Sequence, residues 1–282
     1  MVRHMLVPPL LAFHLAMPSP QMSPDPGALV EAERAFARDA AEKGMRAAFL
    51  AHLGEGSIVF EPGPVDARAT WEAHGDNPGL LSWDPEHAEI AASGEMGWTT
   101  GPWEFRPGGA ADEPVAFGEY ASVWRWDASG AWKFAVDIGI PHGPHVGPPA
   151  EPALVPLRPA PAIATTPADV LDAERAFEAA AREGIARAYR EHGAAGVLLL
   201  RAGAARAEGV DAAAALAERH ALAWEPAEAF VSAAGDLGYV YGVALPAGAE
   251  DSAGYLRVWR RRPGAGWEIA LDVATAPPVE AP

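Results

Sequence analysis

The sequence predicts an α+β protein made of two tandem domains, each with N-terminal helices packed on a strongly curved antiparallel sheet. Three ordered blocks of the first half recur in the second half. Within each half, helical periodicity comes first and alternating strand patterns follow, an order typical of α+β domains. A proline-rich segment lies between the halves, as a semi-extended linker would.

The repeat is clearest in the strands. VWRWDASGAWKFAVDIG at 123–139 aligns without gaps with VWRRRPGAGWEIALDVA at 258–274. Upstream, WDPEHAEIAASGEMGWTTG at 83–101 aligns with WEPAEAFVSAAGDLGYVYG at 224–242. Turns such as SGE and DASGA between the strands favour antiparallel hairpins. Blocks that recur in the same order indicate duplication of a whole domain.

The helices repeat as well. ERAFARDAAEKG at 33–44 matches ERAFEAAAREG at 174–184 with one deletion, and a glycine closes each block as a helix cap. Apolar residues at helical spacing predict a buried stripe on each helix. Each helix begins with an N-cap residue followed by proline. These pairs are Asp25-Pro26 and Thr166-Pro167.

The blocks also predict the domain boundaries. We expect a leader or signal peptide over 1–22, a first domain over 23–140, a Pro-rich linker over 141–166 and a second, degenerate domain over 167–282. The linker is predicted from nine prolines within 141–167, a density that few helices or central strands tolerate.

The N-terminus has features of a weak signal peptide. Arg3 supplies a positive charge ahead of a mostly apolar run from Met5 to Ala16, which is too short to span a bilayer. Pro8 and Pro9 interrupt that run. We expect export to the periplasm or the medium; the alternative is a cytoplasmic protein with a disordered leader.

Composition excludes several classes of function. The net charge of −17 repels phosphate backbones and anionic lipid surfaces, so we expect neither nucleic acid nor a membrane as partner. The chain has no cysteine, which rules out disulfides, thiolate metal sites and cysteine nucleophiles. It has no phosphate loop, dinucleotide fingerprint or G-x-S-x-G motif, and no cofactor is predicted.

The repeat unit resembles a known superfamily. Four features carry the likeness: the order of helices and then strands, a unit of about 115–120 residues, the ERAF opening helix, and the closing strand. The closing strand runs from Trp132 to Asp137 in the first copy and from Trp267 to Asp272 in the second. It is similar to the nuclear-transport-factor-2-like superfamily of α+β cones, also called SnoaL-like or ketosteroid-isomerase-like. The resemblance covers both repeats.

The resemblance implies a fold but no single function. The superfamily includes isomerases, cyclases, dehydratases, non-catalytic ligand binders and dimerisation modules, so function must be argued from the site. Single-repeat members commonly pair through their sheets. The resemblance therefore implies that the two repeats of this chain form such a pair with each other.

Residues present in only one repeat are candidates for function, because a purely structural role would be expected in both copies. Trp71 has no aromatic counterpart, Trp103 aligns with Ala244, and Glu119 aligns with Gly254. An aromatic wall with one carboxylate suits a small apolar ligand. The alternative is that the rings fill a larger core and the second repeat has drifted. The candidate ligand-binding residues are Trp71, Trp98, Trp103 and Glu119.

Residues kept in both repeats are predicted to serve the fold. Large aromatic residues dominate core packing, and the kept pairs are Trp83 and Trp224, Tyr120 and Tyr255, Trp124 and Trp259, Trp132 and Trp267. Asp137 and Asp272 are kept as well, and a carboxylate inside a cone could act as a general base. Strict alternation, however, places each aspartate opposite the apolar row of its strand and therefore away from the cone interior.

Three functions are open at this point. The favoured hypothesis is a small-molecule-binding protein with an apolar pocket in the first repeat and a supporting second repeat. The first alternative is an isomerase- or dehydratase-like enzyme with Glu119 or Asp137 as the base. The second is a non-catalytic interaction or structural module. No metal site is predicted, since His142 and His145 lie in a Pro-Gly loop without a neighbouring carboxylate pattern.

Overall fold

The structure is a computed structural model that describes residues 25–145, 150–158, 165–220, 222–246, 252–261, 264 and 266–276. The predicted leader over 1–22 lies outside the described residues. Among the helices that the structure describes, none is both long and apolar enough to cross a membrane.

The first half of the chain, called repeat 1 below, consists of three helices and seven strands. In chain order the elements are α1 Pro26–Lys43, α2 Met45–His52, β1 Leu53–Phe60, β2 Pro64–Asp66, α3 Ala67–Ala73, β3 Leu80–Trp83, β4 His87–Ile90, β5 Met96–Arg106, β6 Ala116–Trp126 and β7 Trp132–His142.

The second half, called repeat 2, follows the same order. A short strand, β8 Ala153–Pro156, comes first and belongs to the sheet of repeat 1. The elements of repeat 2 are α4 Pro167–Glu183, α5 Ile185–His192, β9 Gly193–Arg201, β10 Ala207–Glu208, α6 Val210–Arg219, β11 Leu222–Val231, β12 Leu237–Pro246, β13 Ala253–Arg261 and β14 Trp267–Ala274.

The two sheets share one topology. Repeat 1 has the strand order β2-β1-β7-β6-β5-β4-β8, and repeat 2 has the order β10-β9-β14-β13-β12-β11. The predicted α+β class is confirmed. One detail differs from the expected antiparallel sheet, because the first and last long strands of each repeat pair in parallel. The third helix of each repeat and the remaining strands lie between those two strands in sequence and supply the crossover that parallel pairing needs.

The predicted linker is partly ordered. β7 extends to His142, and β8 pairs in parallel with β4, with Ala88 opposite Leu154. Proline is tolerated in β8 because an edge strand needs hydrogen bonds on one side only. The segment therefore covers the β4 edge of the repeat 1 sheet on its way to repeat 2.

Helix α1 begins and ends where the sequence predicts. The Asp25 side chain accepts a hydrogen bond from the Gly27 amide, and Pro26 occupies the first turn. Gly44 separates α1 from α2 at a positive φ of 85°, a region that glycine enters without steric cost. The apolar stripe of α1 is buried, and its phenylalanine Phe36 is 1% exposed.

One extra residue changes the side-chain direction along the last strand of each repeat. In repeat 1, Val123 pairs with Val136 and Trp124 pairs with Phe134, so Ala135 has no partner in β6. Ala270 is skipped in the same way in repeat 2. Each is a β-bulge, with two residues opposite one on the neighbouring strand. The apolar row predicted for this strand is consequently split between two faces.

Because of the bulge, the aspartates kept in both repeats point in the direction opposite to the predicted one. Phe134 packs in the helix-side core of repeat 1, whereas Val136 packs against the other repeat. Alternation resumes after Val136, so Asp137 returns to the helix side and faces the cone interior. Asp272 does the same after Ala270. The expectation that these carboxylates face away from the interior was wrong because it assumed unbroken alternation.

The two repeats pack sheet against sheet. The buried cluster between them contains the row Val136, Ile138 and Ile140 from β7 and aliphatic residues such as Leu198 and Leu271 from repeat 2. Each sheet thus has its helices on one face and the other repeat on the opposite face. This is the pairing within one chain that the resemblance implies.

Candidate functional site

A cavity of about 200 Å³ opens in the cone of repeat 1, between the helices and the curved sheet. Its wall is mostly aromatic and includes one carboxylate. We call it the repeat 1 cavity; its lining residues are Phe36, Phe49, Leu81, Trp83, Trp103, Tyr120, Asp137 and Gly139.

Asp137 is the acidic group of the cavity. It is half-buried, and the Ser122 hydroxyl donates a hydrogen bond of 2.7 Å to its Oδ2 atom. Burial raises the pKa of the Asp137 carboxyl to about 7, against the opposing effect of that hydrogen bond. Within the described part of the chain, no lysine or arginine pairs with this carboxyl.

Glu33 is a second carboxyl in the same cone, but it is fully enclosed. Its oxygens accept hydrogen bonds from Trp83 Nε1 at 2.6 Å, Thr99 Oγ1 at 2.5 Å and Trp124 Nε1 at 2.9 Å. Burial raises the pKa of Glu33, and these donors oppose the shift. Because all three donors are neutral, Glu33 is satisfied without a cation.

Two further polar groups face the cavity or border it. The Tyr120 hydroxyl is buried and has no hydrogen-bond partner among the described residues. Such groups are rare, because leaving a buried polar atom unpaired costs about 1–3 kcal/mol. Trp103 is held by its own hydrogen bond, of 3.0 Å, from Nε1 to the Glu119 carbonyl. The Tyr120 hydroxyl is therefore an unpartnered polar group within the wall of the cavity.

The equivalent space in repeat 2 is filled by an arginine. Arg257 aligns with Ser122 and is fully buried. Its guanidinium pairs with the Glu174 carboxylate and, at 2.6 Å, with Asp272 Oδ2. The same guanidinium lies over the Phe177 ring, with its Cζ atom 4.2 Å from the ring centroid.

Asp272 therefore has the opposite electrostatic environment to Asp137. Burial alone would raise the pKa of Asp272, but the guanidinium groups of Arg201 and Arg257 hold it below its usual value. Arg201 Nη1 lies 2.7 Å from Asp272 Oδ1. The interior of repeat 2 is thus charge-balanced and closed, whereas Asp137 opens on a cavity without a paired cation.

The predicted site residues fall into two groups. Trp103 lines the repeat 1 cavity, and Asp137 does too. Trp71 lies behind the wall, stacked on Phe49 with ring centroids 3.9 Å apart. Trp71 supports a ring that faces the cavity without reaching the cavity itself.

Trp98 and Glu119 lie on the other face of the sheet. Trp98 is buried in the cluster between the repeats and stacks on His87. Glu119 is also buried at that interface, where Arg206 of repeat 2 lies 3.5 Å from its Oε2 atom. Burial raises the pKa of Glu119, and Arg206 opposes the shift. The expectation that Trp98 and Glu119 share a pocket with Trp103 is corrected, because successive strand residues point to opposite faces.

Glu119 also forms the one group of possible metal ligands found among the described residues. Its carboxylate lies 3.8 Å from His142 Nε2 and 3.8 Å from His145 Nε2. The neighbouring carboxylate that the sequence did not predict is therefore present. Arg206, which also binds Glu86 at 2.7 Å, already supplies a cation to this carboxylate. The arrangement has the donor atoms for a metal, and Arg206 would compete with a metal ion for the Glu119 carboxylate.

Two aligned positions of the cone interior, one in the ERAF helix and one in the strand before the closing strand, were not predicted from the sequence. Glu33 recurs as Glu174 in the ERAF block, and a carboxylate kept inside a helical apolar stripe was an available signal. Ser122 and Arg257 directly precede the gapless strand blocks and align when the same register is extended by one residue. A difference of this size and charge at an inward-facing position distinguishes an open cone from a filled one.

Comparison with known proteins finds similar chains among solved structures. No family model and no curated protein matches the chain. Among solved structures, the chain is similar to an NTF2-like protein of unknown function from Pseudomonas putida, with 20% sequence identity and a TM-score of 0.34. The match covers 40% of this chain and 88% of that chain. An NTF-2 like protein of unknown function from Shewanella oneidensis has 16% identity, coverages of 39% and 98%, and a TM-score of 0.32.

A ketosteroid isomerase-like protein from Erwinia carotovora atroseptica is also similar, with 20% identity, coverages of 39% and 94%, and a TM-score of 0.32. Each match spans about 40% of this chain, the share of one repeat. These solved structures are named NTF2-like or ketosteroid isomerase-like, the same superfamily that the sequence resembles. Likenesses at these TM-scores carry no argument about ligand or reaction.

The first prediction concerns the pH dependence of stability. Because the pKa of Asp137 is raised in the folded protein, its carboxyl keeps a proton between about pH 4 and pH 7, whereas the same carboxyl in the unfolded chain has lost it. The free energy of unfolding therefore falls as the pH rises through this window. Asp137→Asn keeps the shape and cannot ionise. The free energy of unfolding of the variant, relative to that of the wild type, should rise by roughly 1–2 kcal/mol between pH 5 and pH 8. This is less than the full pKa shift corresponds to, because the carboxyl opens on a cavity.

Urea unfolding at both pH values measures this gain. Asp272→Asn is the matched control, because its lowered pKa gives the opposite sign: the wild-type carboxylate stabilises above its unfolded pKa. That variant should lose stability at pH 8. Parallel pH profiles for wild type and Asp137→Asn would contradict the assignment.

The second prediction concerns the buried arginine. Arg257→Met leaves Glu174 and Asp272 without their shared cation, and breaking a buried ion pair in this way costs about 3–5 kcal/mol. Thermal and urea unfolding measure the loss. Arg175→Met, which removes an exposed pair with Asp172, should cost no more than about 1 kcal/mol. Equal costs would show that Arg257 is not a structural centre of repeat 2.

Proposed function

We propose that this chain is a small-molecule-binding protein whose ligand site is the repeat 1 cavity, with repeat 2 as a filled structural partner. One observation carries the proposal. At equivalent inward-facing positions, Arg257 fills the cone of repeat 2, whereas Ser122 leaves about 200 Å³ open in repeat 1. A purely structural pair of cones has no need for that difference.

The wall of the cavity supports the proposal. Ligand sites typically combine aromatic and apolar surface with a few placed polar groups. Here Trp83 and Trp103 supply rings, while Asp137 and the Tyr120 hydroxyl supply polar atoms. The volume favours a small ligand, since a cavity of roughly 150 Å³ already holds benzene. A single ring with one small polar head suits this space.

Gly139 allows the proposal to be tested by blocking the cavity. It lines the cavity, and an added Cβ atom would meet only Trp103 Nε1, at 3.7 Å. Gly139→Leu should therefore place its side chain in the cavity without backbone strain. We expect the wild type to bind at least one of three single-ring probes, benzamide, benzamidine and benzoate, and Gly139→Leu to lose that binding by roughly tenfold or more.

Calorimetric titration and tryptophan fluorescence measure binding to the full chain. Gly196→Leu is the control, because Gly196 lies on an exposed part of β9 with no atom within 4 Å of an added Cβ. Its binding should equal that of the wild type. Failure of all three probes to bind, or unchanged binding by Gly139→Leu, would overturn the proposal.

A proton-transfer enzyme is the second candidate. The observation in its favour is an Asp137 pKa of about 7 in an aromatic cavity, close to the value a general base needs at neutral pH. The Tyr120 hydroxyl would then donate a hydrogen bond to the reacting group. This candidate requires that a bound compound is chemically changed.

The test is turnover rather than binding. Any compound that co-purifies with the protein is identified by native mass spectrometry and incubated with it. Asp137→Asn should lower the rate by about 10²–10⁴-fold, the usual contribution of a general base. Recovery of the unchanged compound would exclude an enzymatic role towards it and leave binding as the function.

A further inference from the structure

In repeat 2, a side chain of the protein itself occupies the interior of the cone. The Arg257 guanidinium lies between two carboxylates, with its Nε donating to Asp272 at 2.7 Å and its Nη1 paired with Glu174. Its Cζ atom lies 4.2 Å from the Phe177 ring centroid and 4.8 Å from that of Trp224. The planar cation is therefore held by charge at its edge and by aromatic rings at its face.

Repeat 1 has the same set of carboxyl and aromatic residues, which we call the cradle. Identical residue types stand at the aligned positions of both repeats, and the repeat 1 members are Glu33, Phe36, Trp83, Tyr120 and Asp137. All of them except Glu33 line the repeat 1 cavity. The side chain that fills the cradle is missing, because Ser122 stands in place of Arg257.

The two cradles also differ around the buried glutamate, and this difference defines where a ligand would bind. In repeat 1, Thr99 donates to Glu33, whereas its aligned residue Val240 has no hydroxyl. Glu33 is thus already satisfied, and Tyr120 is left without the acceptor that Tyr255 finds in Glu174. Asp137 lines the cavity without a paired cation, and the unpartnered Tyr120 hydroxyl lies in the cavity wall.

From this internal comparison we infer that the repeat 1 cavity takes a small organic cation with a flat guanidinium- or amidinium-type head, bound where the head of Arg257 lies in repeat 2. The head donates to Asp137 and to the Tyr120 oxygen, and it lies against the Phe36 and Trp83 rings. The inference rests on the proposed function and adds the chemical class of the ligand.

The charge of the chain favours the same class. A net charge of −17 concentrates cations near the surface and repels anions. Within the cone, a cationic ligand supplies to Asp137 the positive charge that Arg257 and Arg201 supply to Asp272. A neutral ligand would leave the carboxylate unpaired, and an anion would be repelled by it.

The test compares three probes of one shape and different charge. Benzamidine is cationic, benzamide is neutral and benzoate is anionic. Titration calorimetry at pH 8, in a buffer free of organic amines, should show benzamidine binding to the full chain roughly tenfold or more tightly than benzamide, with no binding of benzoate. Binding of benzamide as tight as that of benzamidine, or any preference for benzoate, overturns the inference.

Two variants examine the named contacts. Asp137→Asn should remove the preference for benzamidine over benzamide, measured as the ratio of their two dissociation constants. Ser122→Arg should abolish benzamidine binding, because its own side chain would occupy the cradle. Glu55→Gln, an exposed substitution that changes the net charge by the same amount as Asp137→Asn, should leave the preference intact. A preference that survives Asp137→Asn overturns the inference even if Ser122→Arg does not fold.

The outcomes separate this inference from the proposed function. If benzamide binds as well as benzamidine and Gly139→Leu blocks both, the cavity is a ligand site and the cation inference fails alone. If no probe binds the wild type, both fail together.

Discussion

The direction of side chains along the last strand of each repeat is the constraint on which the rest of the molecule depends. That strand must supply a ring to the helix-side core at one end and aliphatic residues to the interface at the other. The bulges at Ala135 and Ala270 allow one strand to do both, since each bulge moves the following residues to the opposite face. Without the bulge, Asp137 would lie between two apolar sheets, where an unpaired carboxylate is strongly disfavoured.

Because the sheets are fixed by this alternation, each one separates two environments. One face is the cone interior, where rings and buried carboxyls are arranged around a small volume. The other face is the interface, which combines an aliphatic centre with ion pairs such as Arg206 with Glu86. Packing against a second sheet holds the cone rigidly, and a rigid scaffold keeps the polar groups of a cavity in place when it is empty.

Much of the fold could be predicted from the sequence, and part of the site could have been. Helix stripes and repeated blocks are local patterns, so they are visible without coordinates. Counting alternation from Trp124 along β6 would have placed Glu119 opposite Tyr120 and so outside the cone. Asp137 was different, because an alanine bulge has no distinctive local signal. The role of Arg257 required knowing that its column of the alignment faces inward.

Under the proposed function, the arginine in repeat 2 also determines how many ligands one chain would hold. A guanidinium attached to the sheet it contacts competes with free cations as an intramolecular group, at an effective concentration in the millimolar range or above. Repeat 2 is therefore permanently occupied by its own side chain, and occupancy there cannot vary with the surroundings. Under the proposed function, saturation of the chain would follow a simple hyperbola with a stoichiometry of one, unlike that of a homodimer built from two equal cones.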